Sequence, residues 1–205
     1  MRARALWSET NLHQKRRRKF SEIPPLNDMS RLSRGYVQIY TGNGKGKTTA
    51  ALGQSLRAAG SGLKSFIVQF MKNCPYGEIH SLSFLSDWIT IEQYGNEIFV
   101  LERKMPADND IMLAQKALHQ AWNVMVSGKY DIITLDEICI ALYYNLIKLE
   151  EVFHLLSDKP KHVEIILTGR YCPKGLLEKA DLVTEMKEIK HYYQKGVSAR
   201  KGIEL

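Results

Sequence analysis

The stretch from Tyr36 to Ala51, Tyr-Val-Gln-Ile-Tyr-Thr-Gly-Asn-Gly-Lys-Gly-Lys-Thr-Thr-Ala-Ala, leaves few folds open to this chain. An apolar, β-branched run feeds a glycine-rich turn, and the turn opens into an Ala/Leu-rich helix, the strand–loop–helix context of a phosphate-binding loop. Gly42, Gly44 and Gly46 lack a Cβ and can take positive φ, so backbone N–H groups can converge on phosphate oxygens. The helix starting near Thr48 adds partial positive charge at its N-terminus. Lys47 is placed to reach the phosphate chain, and the Thr48 hydroxyl to bind Mg²⁺. In the pattern Gly-x-x-x-x-Gly-Lys-Thr the first position falls on Thr41, so the leading glycine is missing, and Lys45 adds a second cation. The competing reading, a glycine-rich turn without a ligand, is disfavoured by the flanking strand and helix.

From Gly35 onward apolar strands alternate with helices. Strands are expected near 36–40, 64–71, 88–94, 130–135, 163–167 and 181–188, and helices near 47–59, 78–86, 108–127, 138–146, 149–157 and 173–179. Asp108 or Asn109 is the expected cap of the long third helix. This order implies right-handed βαβ crossovers and an α/β fold of the P-loop NTPase (RecA-like) type, three layers around a mainly parallel sheet. Ligands of such sheets bind at the carboxyl ends of the strands. Thr41–Thr48, Asn73–Gly77, Asp136-Glu137 and Thr168–Arg170 all follow expected strands and should share one rim.

A length of 205 residues, 44% of them hydrophobic and 25% charged, suits one soluble domain with a sizeable core. No apolar run is long enough to span a membrane, and the N-terminus lacks the apolar segment of a signal peptide. Cys74, Cys139 and Cys172, without a Cys-x-x-Cys pair, fit reduced thiols, so a cytoplasmic location is expected. The net charge of +7 suggests nucleic acid until it is located. Residues 1–34 hold nine Lys/Arg against three acids, whereas residues 35–205 hold 20 against 19. The division expected is a basic arm, 1–34, and a nearly neutral domain, 35–205. The run Lys15–Lys19 reads as a solvated segment, with anion binding the minority reading.

Asp131–Glu137 is an apolar strand ending in two acids. Asp136 there is either a helix cap or a carboxylate serving Mg²⁺ beside Thr48; the loop favours the metal. Glu137 could polarise water in an ATPase, or serve the metal where water is not the nucleophile. Arg170 follows strand and glycine as a phosphate sensor would, or is a surface residue paired with an acid. The histidines show no metal-ligand spacing; His191, in Lys190-His191-Tyr192-Tyr193, is the one candidate among them, and a structural role is the favoured reading.

Thr41–Ala50 resembles the loop of the P-loop corrinoid adenosyltransferases, which act on cob(I)alamin or cob(I)yrinic acid a,c-diamide. The likeness continues through Val68-Gln69-Phe70, Leu135-Asp136-Glu137, Leu167-Thr168-Gly169-Arg170 and Ala180–Glu185, and ends with Lys190-His191 and Gly196–Glu204. It covers about residues 35–205. The resemblance implies transfer of the 5′-deoxyadenosyl group of ATP to the Co(I) of a reduced corrinoid with release of triphosphate, in adenosylcobalamin biosynthesis or salvage. By position it implies that Thr41, Gly42, Asn43, Gly44, Lys45, Gly46, Lys47, Thr48 and Thr49 hold ATP. Arg57 and Arg170 would be further ATP contacts; Thr48 and Glu137, with Asp136 beside them, would serve Mg²⁺ or Mn²⁺. Lys47, Thr48 and Glu137 would be the catalytic set. The resemblance further implies a flavoprotein or other reductase to supply Co(I), and a homodimer in which the N-terminal region covers the site; nucleic acid and membranes are not expected partners.

The chain departs from the family after the third strand, where an aromatic segment containing Trp is replaced by Tyr94-Gly95-Asn96-Glu97-Ile98-Phe99, leaving Tyr94 and Phe99 as substitutes facing the corrinoid. Tyr171–Gly175 also departs from the common version. These differences bear on which corrinoid is taken. The rival reading is a RecA-like ATPase in which Glu137 activates water, with a nucleic-acid or protein partner. A third is a corrinoid-handling protein without turnover.

Overall fold

Ser65–Phe70 (β2), Ile132–Asp136 (β4) and Glu164–Thr168 (β5) are buried at every position. That pattern requires a strand covered on both faces, which is why these segments read as mainly apolar runs without regular polar alternation. With Val37–Thr41 (β1), Ile89–Tyr94 (β3) and Leu182–Glu185 (β6) they form a six-stranded sheet, order β3-β2-β4-β5-β1-β6. Every pairing is parallel, so the sheet is more uniform than the mainly parallel one expected. The structure is a computed structural model describing residues 31–74, 76–96 and 106–204; the arm's residues 1–30 and the candidate Phe99 lie outside the described residues.

Alternation along the strands divides the core. Phe66, Val68 and Phe70 with Ile133, Leu135, Ile165 and Leu167 face the helices Asp108–Val126 (α3), Ile138–Tyr143 (α4) and Leu149–Ser157 (α5). Ala114, Ala117, Ala121 and Met125 form the α3 stripe at helical spacing, and the small residues let α3 approach the sheet closely. On the other face Ile132 and Ile166 meet Ala51 and Ala58 of Lys47–Gly60 (α1), and Ile67 and Ile89 meet Leu82 of Gly77–Ser83 (α2). Lys174–Lys179 (α6) leads to the edge strand β6.

Three boundaries differ from expectation. Neither Asp108 nor Asn109 caps α3; Ala107 holds the cap position, and its N–H donates to the Asp110 carboxylate at 2.9 Å. The helix expected over 138–146 ends at Tyr143, because Asn145 turns into the left-handed region (φ 55°). The last strand ends at Glu185 because Met186 leaves the ladder to clamp the loop after β1: its N–H donates to Thr41 O (2.8 Å), and its carbonyl accepts from Gly44 N–H (2.7 Å).

Candidate active site

The loop after β1 has glycines for two reasons. Gly42 (φ 94°) and Gly46 (φ 117°) take conformations that L side chains avoid. At Gly42 and Gly44 a Cβ would also stand 2.5 and 2.7 Å from Met186 O, so the clamp itself needs glycine there. Gly46 ends the loop and no side chain caps α1, leaving the first-turn N–H groups available. Lys47 is buried and folds back over the loop, its Nζ donating to Gly42 O (2.8 Å) and Gly44 O (2.7 Å). Burial pushes its pKa down, opposed by the nearby Glu137 charge. Its two carbonyl bonds are what phosphate oxygens would replace.

Asp136, 1% exposed, is the centre of the site. Its Oδ1 accepts from Thr48 (2.8 Å) and Thr168 (2.6 Å), and its Oδ2 from Gln69 (3.0 Å) and Lys72 (2.7 Å). Gln69 is in turn held by Gln93, whose Nε2 donates to Gln69 Oε1 at 2.9 Å. Burial alone would push the Asp136 carboxyl up; the Lys72 ammonium and the bonds from Lys72, Thr168 and Thr48 outweigh it and hold it below the usual range. Four donors fill the lone pairs of this carboxylate, so Asp136 orients Thr48 and offers no free oxygen to a metal.

Glu137 has the opposite role. It adopts φ 67°, and its N–H donates to Thr168 Oγ1 at 2.9 Å. Its carboxylate lines the cavity without a hydrogen bond from the described residues. Burial, then the Asp136 charge, push its pKa up, against Lys72, Lys47 and Arg170. The rim turns after β2, β4 and β5 each use a left-handed non-glycine residue, Met71, Glu137 and Tyr171, adjoining or being a cavity residue. Such positions carry strain, of the kind that accumulates at functional sites.

These groups surround a cavity of about 630 Å³ lined by Gly44–Thr49, Lys72, Glu137, Arg170, His191 and the Gly202–Glu204 end of the tail. Arg170 is exposed there and makes no ion pair with the described residues. The tail is tied to the loop by Lys45, whose Nζ donates to Glu204 Oε1 and Ile203 O, both at 2.8 Å. Arg200 and Tyr192 also donate to Glu204; with Arg200 first and Lys45 next, these bonds push its pKa down. Among the described residues no cluster of three acid, His or Cys side chains could hold a metal alone. The Thr48 hydroxyl and the unpartnered Glu137 carboxylate in one cavity do fit Mg²⁺, which takes one or two protein oxygens and completes its shell with phosphates and water.

Of the residues expected at the site, Gly44, Lys45, Gly46, Lys47, Thr48, Thr49, Glu137 and Arg170 line one cavity, with Asp136 beneath them. Thr41, Gly42 and Asn43 form the strand end and the loop's back. Arg57 does not join: it is exposed in the last turn of α1, nine residues beyond Thr48 and about 13.5 Å along the axis. Tyr94 ends β3 with its hydroxyl donating to Glu92 (2.6 Å) and Lys116 over its ring (6.0 Å). Sequence reading missed Lys72, and it named the Gly196–Glu204 tail without giving Glu204 a role. A basic residue just past an all-buried strand, on the rim already named, was the available signal for Lys72.

An uncapped helix terminus after a glycine loop, on a parallel sheet whose next strands deliver Asp136 and Thr168, defines a P-loop nucleotide-binding enzyme. The model of the family "ATP:corrinoid adenosyltransferase BtuR/CobO/CobP" matches residues 33–205, and the chain belongs to that family. A corrinoid adenosyltransferase of Escherichia coli (strain K12) is 32% identical over 203 residues, 96% of this chain and 99% of that protein. Corrinoid adenosyltransferase CobA of Salmonella typhimurium is 36% identical over 177 residues, 83% and 86% of the two chains. A corrinoid adenosyltransferase of Pseudomonas aeruginosa is 32% identical over 189 residues, 92% of each. No described helix is long and apolar enough to cross a membrane.

Proposed function

We propose that this enzyme transfers the 5′-deoxyadenosyl group of ATP to the Co(I) centre of a reduced corrinoid and releases triphosphate. The observation that carries this is the family match across residues 33–205, set on a cavity where cations and an uncapped helix terminus converge. The cobalt electron pair forms the bond to C5′, the C5′–O bond breaks, and its electrons leave on triphosphate. Cobalt is formally oxidised by two electrons, and no proton moves. The protein therefore needs no general base, but must neutralise a leaving group of high charge. Lys47, Arg170 and the first-turn N–H groups of α1 do that. Mg²⁺ or Mn²⁺ held between Thr48 and Glu137 would supply further charge to the triphosphate. Tyr94 and Phe99 are our assignment for the corrinoid side, residues 1–34 for an arm over a homodimer's site, and a reductase for the supply of Co(I).

The test is anaerobic incubation with ATP and chemically reduced cobalamin, cobinamide or an a,c-diamide. A cobalt–carbon chromophore with stoichiometric triphosphate is expected. Phosphate release without that chromophore would overturn adenosyl transfer in favour of the ATPase reading.

A further inference from the structure

Lys72 stands where a cation is wanted. It lies two residues beyond β2, with the side chain 15% exposed and lining the cavity. Its Nζ donates to Asp136 Oδ2 at 2.7 Å and to Thr48 Oγ1 at 3.4 Å, and the Tyr76 ring centroid lies 5.7 Å away. The position is built. A Cβ on Gly95 would stand 2.5 Å from Lys72 N and Met71 C, so the Lys72 turn is pressed against the end of β3. Met71 reaches it through a left-handed φ of 57°.

The Thr48 hydrogen is committed to Asp136 Oδ1 at 2.8 Å, so the hydroxyl's lone pairs point away from Asp136. In the nucleotide complex those lone pairs are the ones a divalent cation would use. In this structure Lys72 donates to that same oxygen.

We propose that the Lys72 ammonium is a resident cation. It holds the Thr48 oxygen and keeps Thr48 and Asp136 assembled, supplies the positive charge met by a triphosphate that arrives without metal, and gives up the Thr48 oxygen when Mg²⁺ takes its place. It is a positioning residue whose charge stands in for the metal. The assignment rests on the nucleotide reading of the cavity given above.

Lys72→Met and Lys72→Gln separate the two ideas, the second retaining a hydrogen bond to Asp136 if the first fails to fold. Calorimetric titration of the nucleotide-free protein with Mg²⁺ alone should show binding at least about fivefold tighter in either variant than in wild type, because the competitor is gone. Binding of ATP in EDTA should weaken at least about tenfold, the scale of a lost charge-assisted bond. Binding of Mg-ATP should weaken much less, and Lys72→Arg should restore metal-free ATP binding. Unchanged Mg²⁺ affinity, or equal loss of ATP affinity with and without metal, overturns the proposal. Failure of wild type to bind ATP under either condition overturns the nucleotide reading itself, so the two fail separately.

Discussion

Replacing Asp136 by asparagine removes the one negative charge on which Thr48, Thr168, Gln69 and Lys72 converge. The geometry sets the magnitude. Asparagine keeps one acceptor oxygen, but places an NH₂ against a pair of donors and leaves the Lys72 ammonium without its partner. Breaking a buried ion pair from one side costs about 3–5 kcal/mol, and the residual exposure of Lys72 favours the lower end, about 3 kcal/mol. For a domain of this size, that corresponds to a fall in Tm of about 6–12 °C. The pH dependence gives an independent check. The folded pKa of Asp136 lies below the unfolded value of 3.8, so its stabilisation is complete well above that value and lost as pH falls through the folded pKa. Urea midpoints of wild type and Asp136→Asn from pH 7 to pH 3 should differ by a constant amount at the upper end and converge below 3.8. Equal midpoints at pH 7, or a gap undiminished at pH 3, would refute the reasoning.

Glu137 should behave in the opposite sense. Its folded pKa is raised above 4.5, so the ionised form costs stability as pH rises through the folded value. Glu137→Gln should therefore raise stability at pH 7 by about 0.5–2 kcal/mol, the range of common stabilising substitutions, seen as a higher Tm; it should lose that gain below pH 4.5 and abolish or greatly slow turnover. Lys47→Ala should weaken ATP binding at least about tenfold in direct titration, the scale of a lost charge-assisted bond; wild-type affinity and kinetics in that variant would remove the loop from the site. Glu204→Gln should leave the melting temperature unchanged, because its charged partners Lys45 and Arg200 are exposed, while limited proteolysis cuts the tail faster. A tail as protected as in wild type would mean that the Lys45–Glu204 contact does not hold it.

Residues close in sequence carried their own meaning. The strand–glycine–helix order at Tyr36–Ala51, the buried runs of β2, β4 and β5, and the acids ending β4 determined an α/β P-loop enzyme, because backbone conformation and burial period are local properties. The shared rim followed from parallel strands alone, and Gly44–Thr49, Glu137 and Arg170 do line one cavity. The division of labour between adjacent acids was not legible. Asp136 ends the strand inside the sheet and is saturated by donors from three other segments, while the left-handed turn at Glu137 leaves its carboxylate on the cavity. Lys72 meets Asp136 across 64 positions, and Lys45 meets Glu204 across 159. Such pairings depend on strand order and on where a tail returns, which no local pattern encodes. The sequence by itself determined that a phosphate-binding loop would face acids across a parallel sheet. Only the tertiary structure decided which acid is buried as an anchor, which faces the cavity, and which lysine sits between them, because burial and long-range charge settle those roles.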